Sequence, residues 1–222
     1  MKLVIGDKNS SSWSMRPGLV LKHFGIPFEE IMVRLNRPDS SANILAHSPS
    51  GKVPCLVTDG GAVVWESLAI METLAELFPQ HAMWPRDATT RAYARSVSSE
   101  MHAGFSDLRE QMSMDIRRQS FGQVPTAGAA ANIKRVDTIW RHCLDAQGGP
   151  FLFGEFGGAD AMFAPIVMRF ITYQPELRAV SQDYVARVAA HPLVAEWVAG
   201  ALGEPDEWRL PRYELFAPTA AA

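Results

Sequence analysis

The pattern of apolar residues changes near residue 80, and this change constrains the fold more than any other feature. Before it, short apolar runs typical of strands alternate with segments of helical period, in the predicted order β-α-β-α-β-β-α. Beyond the stretch PQHAMWPRD, strand patterns nearly vanish and helical periodicity dominates. Strands separated by helices predict a parallel pair, and a hairpin at Asp-Gly-Gly adds an antiparallel edge. We therefore expect an α/β domain over residues 1–80 and an all-α domain over residues 87–216.

The helical half begins with a stretch that reads as one long helix, ATTRAYARSVSSEMHAGFSDLREQMSMDIRR. Four of its apolar residues recur at helical spacing and are expected in the core by default: Met101, Phe105, Leu108 and Met112. The Pro/Ala-rich tail after Phe216 is expected to be disordered.

Charge and composition exclude several classes of function. The chain has 222 residues and a formal net charge of −3, so no basic surface for nucleic acid is expected. The apolar runs are too short for a signal peptide or a membrane span. The only two cysteines, Cys55 and Cys143, form no CxxC or metal-like cluster, which favours a reduced cytoplasmic compartment and no metal site.

The segment NSSSWSMRPGLVL carries three consecutive serines at the start of a predicted helix. Serine before a helix commonly caps it, because the side-chain oxygen accepts a hydrogen bond from a free N–H group. A hydroxyl placed for chemistry is the alternative, and the segment alone does not decide between the two.

Two further segments allow a similar choice. In SGKVPCL, Pro54 stands where a strand should begin, although proline donates no ladder hydrogen bond. A cis Val53–Pro54 bond would turn the chain and leave the Val53 N–H and C=O free to pair with another molecule. In WESLAI, Glu66 and Ser67 lie where a strand gives way to a helix; they are either a strand end and a cap, or ligands for an ammonium and a carboxylate.

Together, in this order and within this framework, the three segments resemble the cytosolic glutathione transferase family over nearly the whole chain. The segment SSWSMR is similar to SSCSWR of the zeta class, and this match places the catalytic serine at Ser11. A delta-like register counted from Arg16 places it at Ser12 instead. Trp13 stands where the zeta motif has cysteine, which argues against zeta-type isomerase chemistry more than against thiol activation.

The resemblance implies a thioredoxin-like N-terminal domain, a helical C-terminal domain, a homodimer, and glutathione as cosubstrate without a metal. Val53 would pair with the cysteinyl backbone of glutathione, Pro54 would be a cis-proline, and Lys52 would reach a carboxylate. Glu66 and Ser67 would hold the γ-glutamyl group. The candidates for the acceptor site, which would take a small, apolar electrophile, are Met101, His102, Phe105 and Leu108.

A glutathione transferase is therefore the predicted function. A glutathione-dependent isomerase or peroxidase on the same fold is the alternative enzyme. The alternative from another class is an interaction module that kept the fold without catalysis. The retained serines, Val-Pro and Glu-Ser argue against that module.

Overall fold

The structure, a computed structural model, describes residues 1–208. The predicted boundary at residue 216 and the predicted disordered tail lie outside these residues. The first part contains four strands, β1 Lys2–Ile5, β2 Glu29–Met32, β3 Cys55–Val57 and β4 Val63–Trp65. Its three helices are α1 Ser12–His23, α2 Ser40–Leu45 and α3 Ser67–Leu77.

The four strands form one sheet in the order β2-β1-β3-β4. β1 pairs in parallel with β2 and antiparallel with β3, and the hairpin between β3 and β4 supplies the antiparallel edge. A parallel pair requires a crossover connection, and α1 provides it. The expected α/β plus all-α architecture, with its β-α-β-α-β-β-α beginning, is confirmed.

The second part of the chain, as far as the structure describes it, is helical. Its elements are α4 Ala88–Ala103, α5 Ser106–Gln111, α6 Ala127–Gln147, α7 Gly158–Tyr173, α8 Ala179–Ala189, α9 Pro192–Leu202 and a 3₁₀ turn at Asp206–Trp208. No helix within residues 1–208 is both long and apolar enough to cross a membrane.

The prediction of one long helix after residue 88 is wrong, because the helix is interrupted between the end of α4 and the start of α5. Gly104 ends α4, and Phe105 takes a left-handed conformation with φ 60°. A Cβ atom at Gly104 would lie 2.8 Å from the Glu100 carbonyl oxygen, so only glycine fits this close approach. The apolar period continues across the break, which is why the sequence pattern did not reveal it.

One hydrophobic core extends through both parts of the chain, from Leu3 of β1 to Trp197 of α9. α7 is buried along nearly its whole length and packs against α1 and α4. α1 also packs on α9, where a Cβ atom at Gly18 would come within 2.8 Å of the Trp197 ring. The start of α1, with its serines, is therefore fixed between the sheet and the helical part.

Candidate active site

The Ser11 side chain does not cap α1, although Ser11 occupies the N-cap position. The Ser11 Oγ atom instead lies 2.7 Å from Ser14 Oγ, and Ser14 Oγ accepts the Gly6 N–H at 3.1 Å. The Ser11 backbone N–H donates to the Asp7 carbonyl at 2.8 Å. Capping thus does not account for the Ser11 hydroxyl, which remains a candidate for chemistry.

Ser12 has a different neighbour. The Arg169 Nη2 group of α7 lies 3.5 Å from Ser12 Oγ, to which it donates. Both serines are mostly covered, with 5% of Ser11 and 6% of Ser12 exposed. The structure therefore brings both predicted catalytic positions to the same place, one beside a hydroxyl and the other beside a guanidinium.

We call residues 6–14 the serine loop, and the C-terminal helical part holds it through its backbone. The Glu204 carboxylate accepts the Lys8 N–H at 2.5 Å and the Asn9 N–H at 3.3 Å. The Trp197 indole N–H donates to the Lys8 carbonyl at 3.0 Å, and the Arg117 N–H donates to the Asn9 side chain at 2.9 Å. Burial raises the pKa of Glu204, and the loop N–H groups oppose that shift. Residues between 108 and 196 positions away thus fix the serine loop.

The loop before β3 has the predicted cis geometry at Val53–Pro54. Val53 is half-buried and Lys52 is exposed. Together the two residues form an edge beside the start of the strand at Cys55.

Glu66 and Ser67 lie at the junction of β4 and α3. Glu66 has a left-handed φ of 71° and is exposed, whereas Ser67 is the first residue of α3 and has no exposed surface. Ser67 Oγ accepts a hydrogen bond from Arg16 Nη1 at 3.3 Å. The Glu66 carboxylate lies 3.6 Å from His102 Nε2 of α4. One acid and one hydroxyl therefore meet at a helix N-terminus, where the helix dipole favours an anion.

A group of cationic and aromatic side chains adjoins this junction, and we call it the cation cluster: Trp13, Arg16, His102, Arg109 and Arg169. The Trp13 ring lies between two guanidiniums, with its centroid 4.2 Å from Arg16 Cζ and 5.1 Å from Arg109 Cζ. The His102 ring meets Trp13 edge-on at 5.1 Å.

Arg16 is buried in this cluster without an acidic partner. Among residues 1–208 it forms no ion pair, and its buried Nε group has no hydrogen-bond partner. Burial, followed by the charges of Arg169 and Arg109, holds the pKa of Arg16 well below its usual value. Burial also lowers the pKa of His102, and Arg16 adds to this effect while Glu66 opposes it. A buried, uncompensated cation is costly, so this region favours an anion.

The four predicted acceptor-site residues separate into two groups. His102 is partly exposed and contacts Glu66 and Trp13. The other three are buried in the hydrophobic core, as their helical spacing predicts, and their contact with an acceptor stays a prediction: Met101, Phe105 and Leu108.

Sequence reasoning did not identify Ser14, Arg109, Arg169 or Glu204 as neighbours of the site. For Arg169 the sequence does contain an indication, since this residue is a cation in the apolar segment MFAPIVMRFITY. Such a residue is rarely buried without a polar partner, and here it donates to the Met112 and Pro165 carbonyls as well as to Ser12.

The two cysteines do not have the properties of reactive thiols, and the described residues form no metal site. Burial raises the pKa of Cys143 to about 12 and also raises the pKa of Cys55. Both thiols are therefore protonated at neutral pH, unlike a reactive cysteine. Within residues 1–208, no group of three or more His, Cys, Asp or Glu side chains could hold a metal ion.

Comparison with known proteins connects this arrangement to one family. Residues 10–77 match the model of the glutathione S-transferase N-terminal domain, and residues 92–200 match that of the C-terminal domain. The chain is 36% identical over 195 residues to a probable maleylacetoacetate isomerase of Caenorhabditis elegans, covering 83% of this chain and 90% of that protein. It is 26% identical over 203 residues to the glutathione S-transferase GstB of Escherichia coli K12, covering 86% and 97% of the two chains.

Among solved structures, a glutathione transferase homologue from Burkholderia strain BGR1, with bound glutathione, is similar in fold. Its TM-score is 0.69 and its sequence identity 26%, and the match covers 91% of this chain and 98% of that one. Both domain models match in order and together span most of the chain. The protein therefore belongs to the glutathione S-transferase family.

Proposed function

We propose that this protein is a glutathione transferase whose Ser11 hydroxyl activates the glutathione thiol. The observation that carries the proposal is that Ser11 lies at the start of α1 with a hydroxyl that capping does not use. A thiol with a pKa of about 8.5 is only a few per cent thiolate at neutral pH. A hydroxyl that donates to sulfur, near a helix N-terminus, favours the anion and so increases the fraction that can attack an electrophile.

The other contacts of glutathione follow from the residues around Ser11. Val53 offers its backbone N–H and C=O to the cysteinyl unit, and Lys52 lies beside it to reach a carboxylate. Glu66 binds the γ-glutamyl ammonium, and Ser67 with the α3 N-terminus binds the γ-glutamyl carboxylate. Because Ser67 has no exposed surface, the carboxylate reaches it only if a neighbouring side chain moves. Arg16, whose guanidinium donates to Ser67 Oγ, is the neighbour that we expect to shift.

The first test of this proposal measures glutathione binding by calorimetry. The unchanged protein should bind glutathione, and Glu66→Ala combined with Ser67→Ala should weaken binding strongly. Glu29→Ala, which removes an exposed acid on β2, is the matched control and should not change the affinity. No binding heat from the unchanged protein at millimolar glutathione would contradict the proposal.

The second test separates the serines by the thiolate absorbance of bound glutathione against pH. Ser11→Ala removes one charge-assisted hydrogen bond, so the pKa of the bound thiol should rise by about one to two units. Turnover at neutral pH should fall about ten-fold or more, with little change in glutathione affinity when binding is measured below the pKa of the bound thiol. If Ser12 is the donor, Ser12→Ala should give this result instead. Unchanged titration in both variants would place the activating group elsewhere.

The cation cluster favours a second candidate, a glutathione-dependent isomerase whose acceptor carries a carboxylate. Arg109 is a half-buried cation beside Trp13 that forms no ion pair within residues 1–208, so an acceptor with a negative group fits this region better than a purely apolar one. The C. elegans relative is named as an isomerase of maleylacetoacetate, a carboxylate-bearing electrophile. We propose this reaction as the alternative to general transferase activity.

Substrate choice distinguishes these two enzymes. The experiment measures turnover of two substrates, a neutral aromatic halide and a maleyl keto acid, by the unchanged protein and by the Arg109→Met variant. For the isomerase, only the keto acid should turn over well, and the variant should raise its KM about ten-fold or more. Efficient conjugation of the neutral halide with no conversion of the acid favours the transferase. Glutathione binding with no turnover of either substrate would favour the non-catalytic module.

We also propose a homodimer and a cytoplasmic location. Large apolar side chains remain exposed on β4, α3 and α4, a surface that a second copy would cover: Val63, Trp65, Leu77 and Tyr93. Light scattering should give twice the 24.5 kDa chain mass, and Trp65→Glu should shift the mass toward the monomer.

The proposed cytoplasmic location is supported by the two cysteines. Both are free and buried, which suits a reducing compartment, and cell fractionation tests this point.

A further inference from the structure

A line of three polar groups ends at the Ser11 hydroxyl. The Gly6 N–H donates to Ser14 Oγ at 3.1 Å, and Ser14 Oγ lies 2.7 Å from Ser11 Oγ. Ser14 has no exposed surface, so water does not substitute for either partner. Gly6 permits this close approach, because a Cβ atom there would lie 3.0 Å from Ser11 Oγ and 2.5 Å from a Leu35 methyl carbon.

The number of hydrogens in this line restricts what Ser11 can do. The Gly6 amide can only donate, so it occupies one lone pair of Ser14 Oγ. Only one hydrogen lies between the two hydroxyl oxygens, and it belongs to either serine. If Ser11 supplies it, Ser11 can only accept on its other side. If Ser14 supplies it, the Ser11 hydrogen is free to donate.

A thiol and a thiolate differ in the arrangement that they require. A thiol can donate its S–H weakly to Ser11, whereas a thiolate is an acceptor only and needs a donated O–H. Stabilisation of the thiolate thus requires Ser14 to donate to Ser11. In that arrangement each hydrogen bond polarises the next, from the Gly6 amide through Ser14 to Ser11.

We infer that Ser14 is a positioning residue that donates to Ser11 and so leaves the Ser11 hydrogen free for the thiolate, and that the Gly6 amide favours this direction because its donation polarises the Ser14 hydroxyl. The inference rests on the proposed function, since it requires glutathione to bind beside Ser11. It also distinguishes the two candidate serines, because Ser12 Oγ accepts from Arg169 and has no part in the line.

A double-mutant cycle on the bound-thiol pKa tests this inference. The full-length protein is compared with Ser14→Ala, Ser11→Ala and the double variant, all saturated with glutathione and titrated by thiolate absorbance. Ser14→Ala should raise the thiol pKa by about half a unit to one unit, because one neutral hydrogen bond that orients the donor is lost. In the Ser11→Ala background the same substitution should have no further effect. Glutathione affinity, measured at a pH below the pKa of the bound thiol, should stay unchanged in all four proteins.

The matched control is Ser181→Ala, which removes another fully buried serine hydroxyl in α8, one that has no hydrogen-bond partner among residues 1–208. It should leave the thiol pKa unchanged. If Ser14→Ala does not fold because the Gly6 amide loses its acceptor, Ser14→Cys replaces it, since a thiol is a weak donor and acceptor of similar size. Ser14→Cys should also raise the pKa of the bound glutathione thiol, and again only when the Ser11 hydroxyl is present.

The outcomes separate the inference from the proposed function. If the unchanged protein does not bind glutathione, or its bound thiol titrates like the free one, the proposed function is wrong. If the unchanged protein activates the thiol but Ser14 variants leave the thiol pKa unchanged, the inference alone is overturned. Equal shifts in the presence and absence of the Ser11 hydroxyl would also overturn it, because Ser14 would then act independently of Ser11.

Discussion

The serine loop and the cation cluster adjoin the same site, yet the backbone of the loop and the guanidinium of Arg16 in the cluster are satisfied in opposite ways. In the serine loop, the backbone groups of Lys8 and Asn9 are paired with Glu204, Trp197 and the Ile116 N–H, and the Asn9 side chain accepts from the Arg117 N–H. In the cation cluster, Arg16 is buried with one hydrogen bond to Ser67 and no ion pair within the described chain.

This difference indicates what each region contributes. Buried polar groups that are paired stabilise one conformation and cost most when a partner is removed. A buried charge without a counter-charge lowers stability, and a ligand that supplies the counter-charge recovers that free energy as binding. The serine loop should therefore govern stability and the position of Ser11, and the cation cluster should govern the affinity for anions.

The largest effect on stability is expected from the serine loop. Glu204→Ala leaves the buried Lys8 and Asn9 N–H groups without an acceptor, so the free energy of unfolding should fall by about 2–4 kcal/mol. Urea denaturation measures this change. Glu196→Ala is the control on the neighbouring helix, since it removes an exposed ion pair with Lys22 and should cost less than about 1 kcal/mol. Equal losses in the two variants would remove the special role of Glu204.

The cation cluster should respond in the opposite way. Arg16→Met removes an uncompensated buried charge at similar side-chain length, so the free energy of unfolding should rise or stay within about 1 kcal/mol. Glutathione affinity should fall about ten-fold, because Ser67 and the γ-glutamyl carboxylate lose a nearby cation. Urea denaturation and calorimetry measure the two quantities.

Arg135→Met removes an exposed guanidinium that is paired with Glu100, and it serves as the control for this variant. It should change neither affinity nor stability by much. If Arg16→Met lowers stability by more than about 2 kcal/mol and leaves affinity intact, the guanidinium serves folding, and the contrast between the two regions is wrong.

The sequence predicted those parts of the molecule that depend on local chemistry. The order of strands and helices follows from apolar periodicity and turn residues. The cis Val53–Pro54 bond was predicted from a proline at a strand start together with the resemblance to the glutathione transferase family. The break after Gly104 was missed because the apolar period of the surrounding residues runs on through it.

The parts that were not predicted depend on contacts between distant segments. No local pattern shows that Glu204 reaches Lys8 or that Arg109 reaches the ring of Trp13, since the fold alone brings these residues together. The burial of Met101 and Leu108, by contrast, was predicted, because their helical spacing marks an apolar face. Contacts between residues of the two halves of the chain could therefore be identified only in the structure.

The smallest expected effect is a difference in the pH dependence of stability. Burial, Arg16 and Arg109 lower the pKa of His102 below its ordinary value of about 6.5. As the pH falls below about 6.5, the unfolded chain takes up this proton first, so His102 should lower the stability of the fold. His102→Gln should remove that loss.

The serine loop should show the opposite sign over the acidic range. Burial raises the pKa of both Glu204 and Asp7, so the folded chain takes up their protons first as the pH falls. At neutral pH the buried, ionised carboxylates lower the free energy of unfolding. This free energy should rise again as the pH falls through their raised pKa values toward the ordinary carboxyl range. Glu204→Gln should remove part of this gain. Urea denaturation at intervals from pH 7.5 to about 4.5 compares each variant with the unchanged protein, which cancels the contributions of the other histidines and acids. Differences of the same sign for His102→Gln and Glu204→Gln would contradict the assignment of opposite electrostatic roles to the two regions.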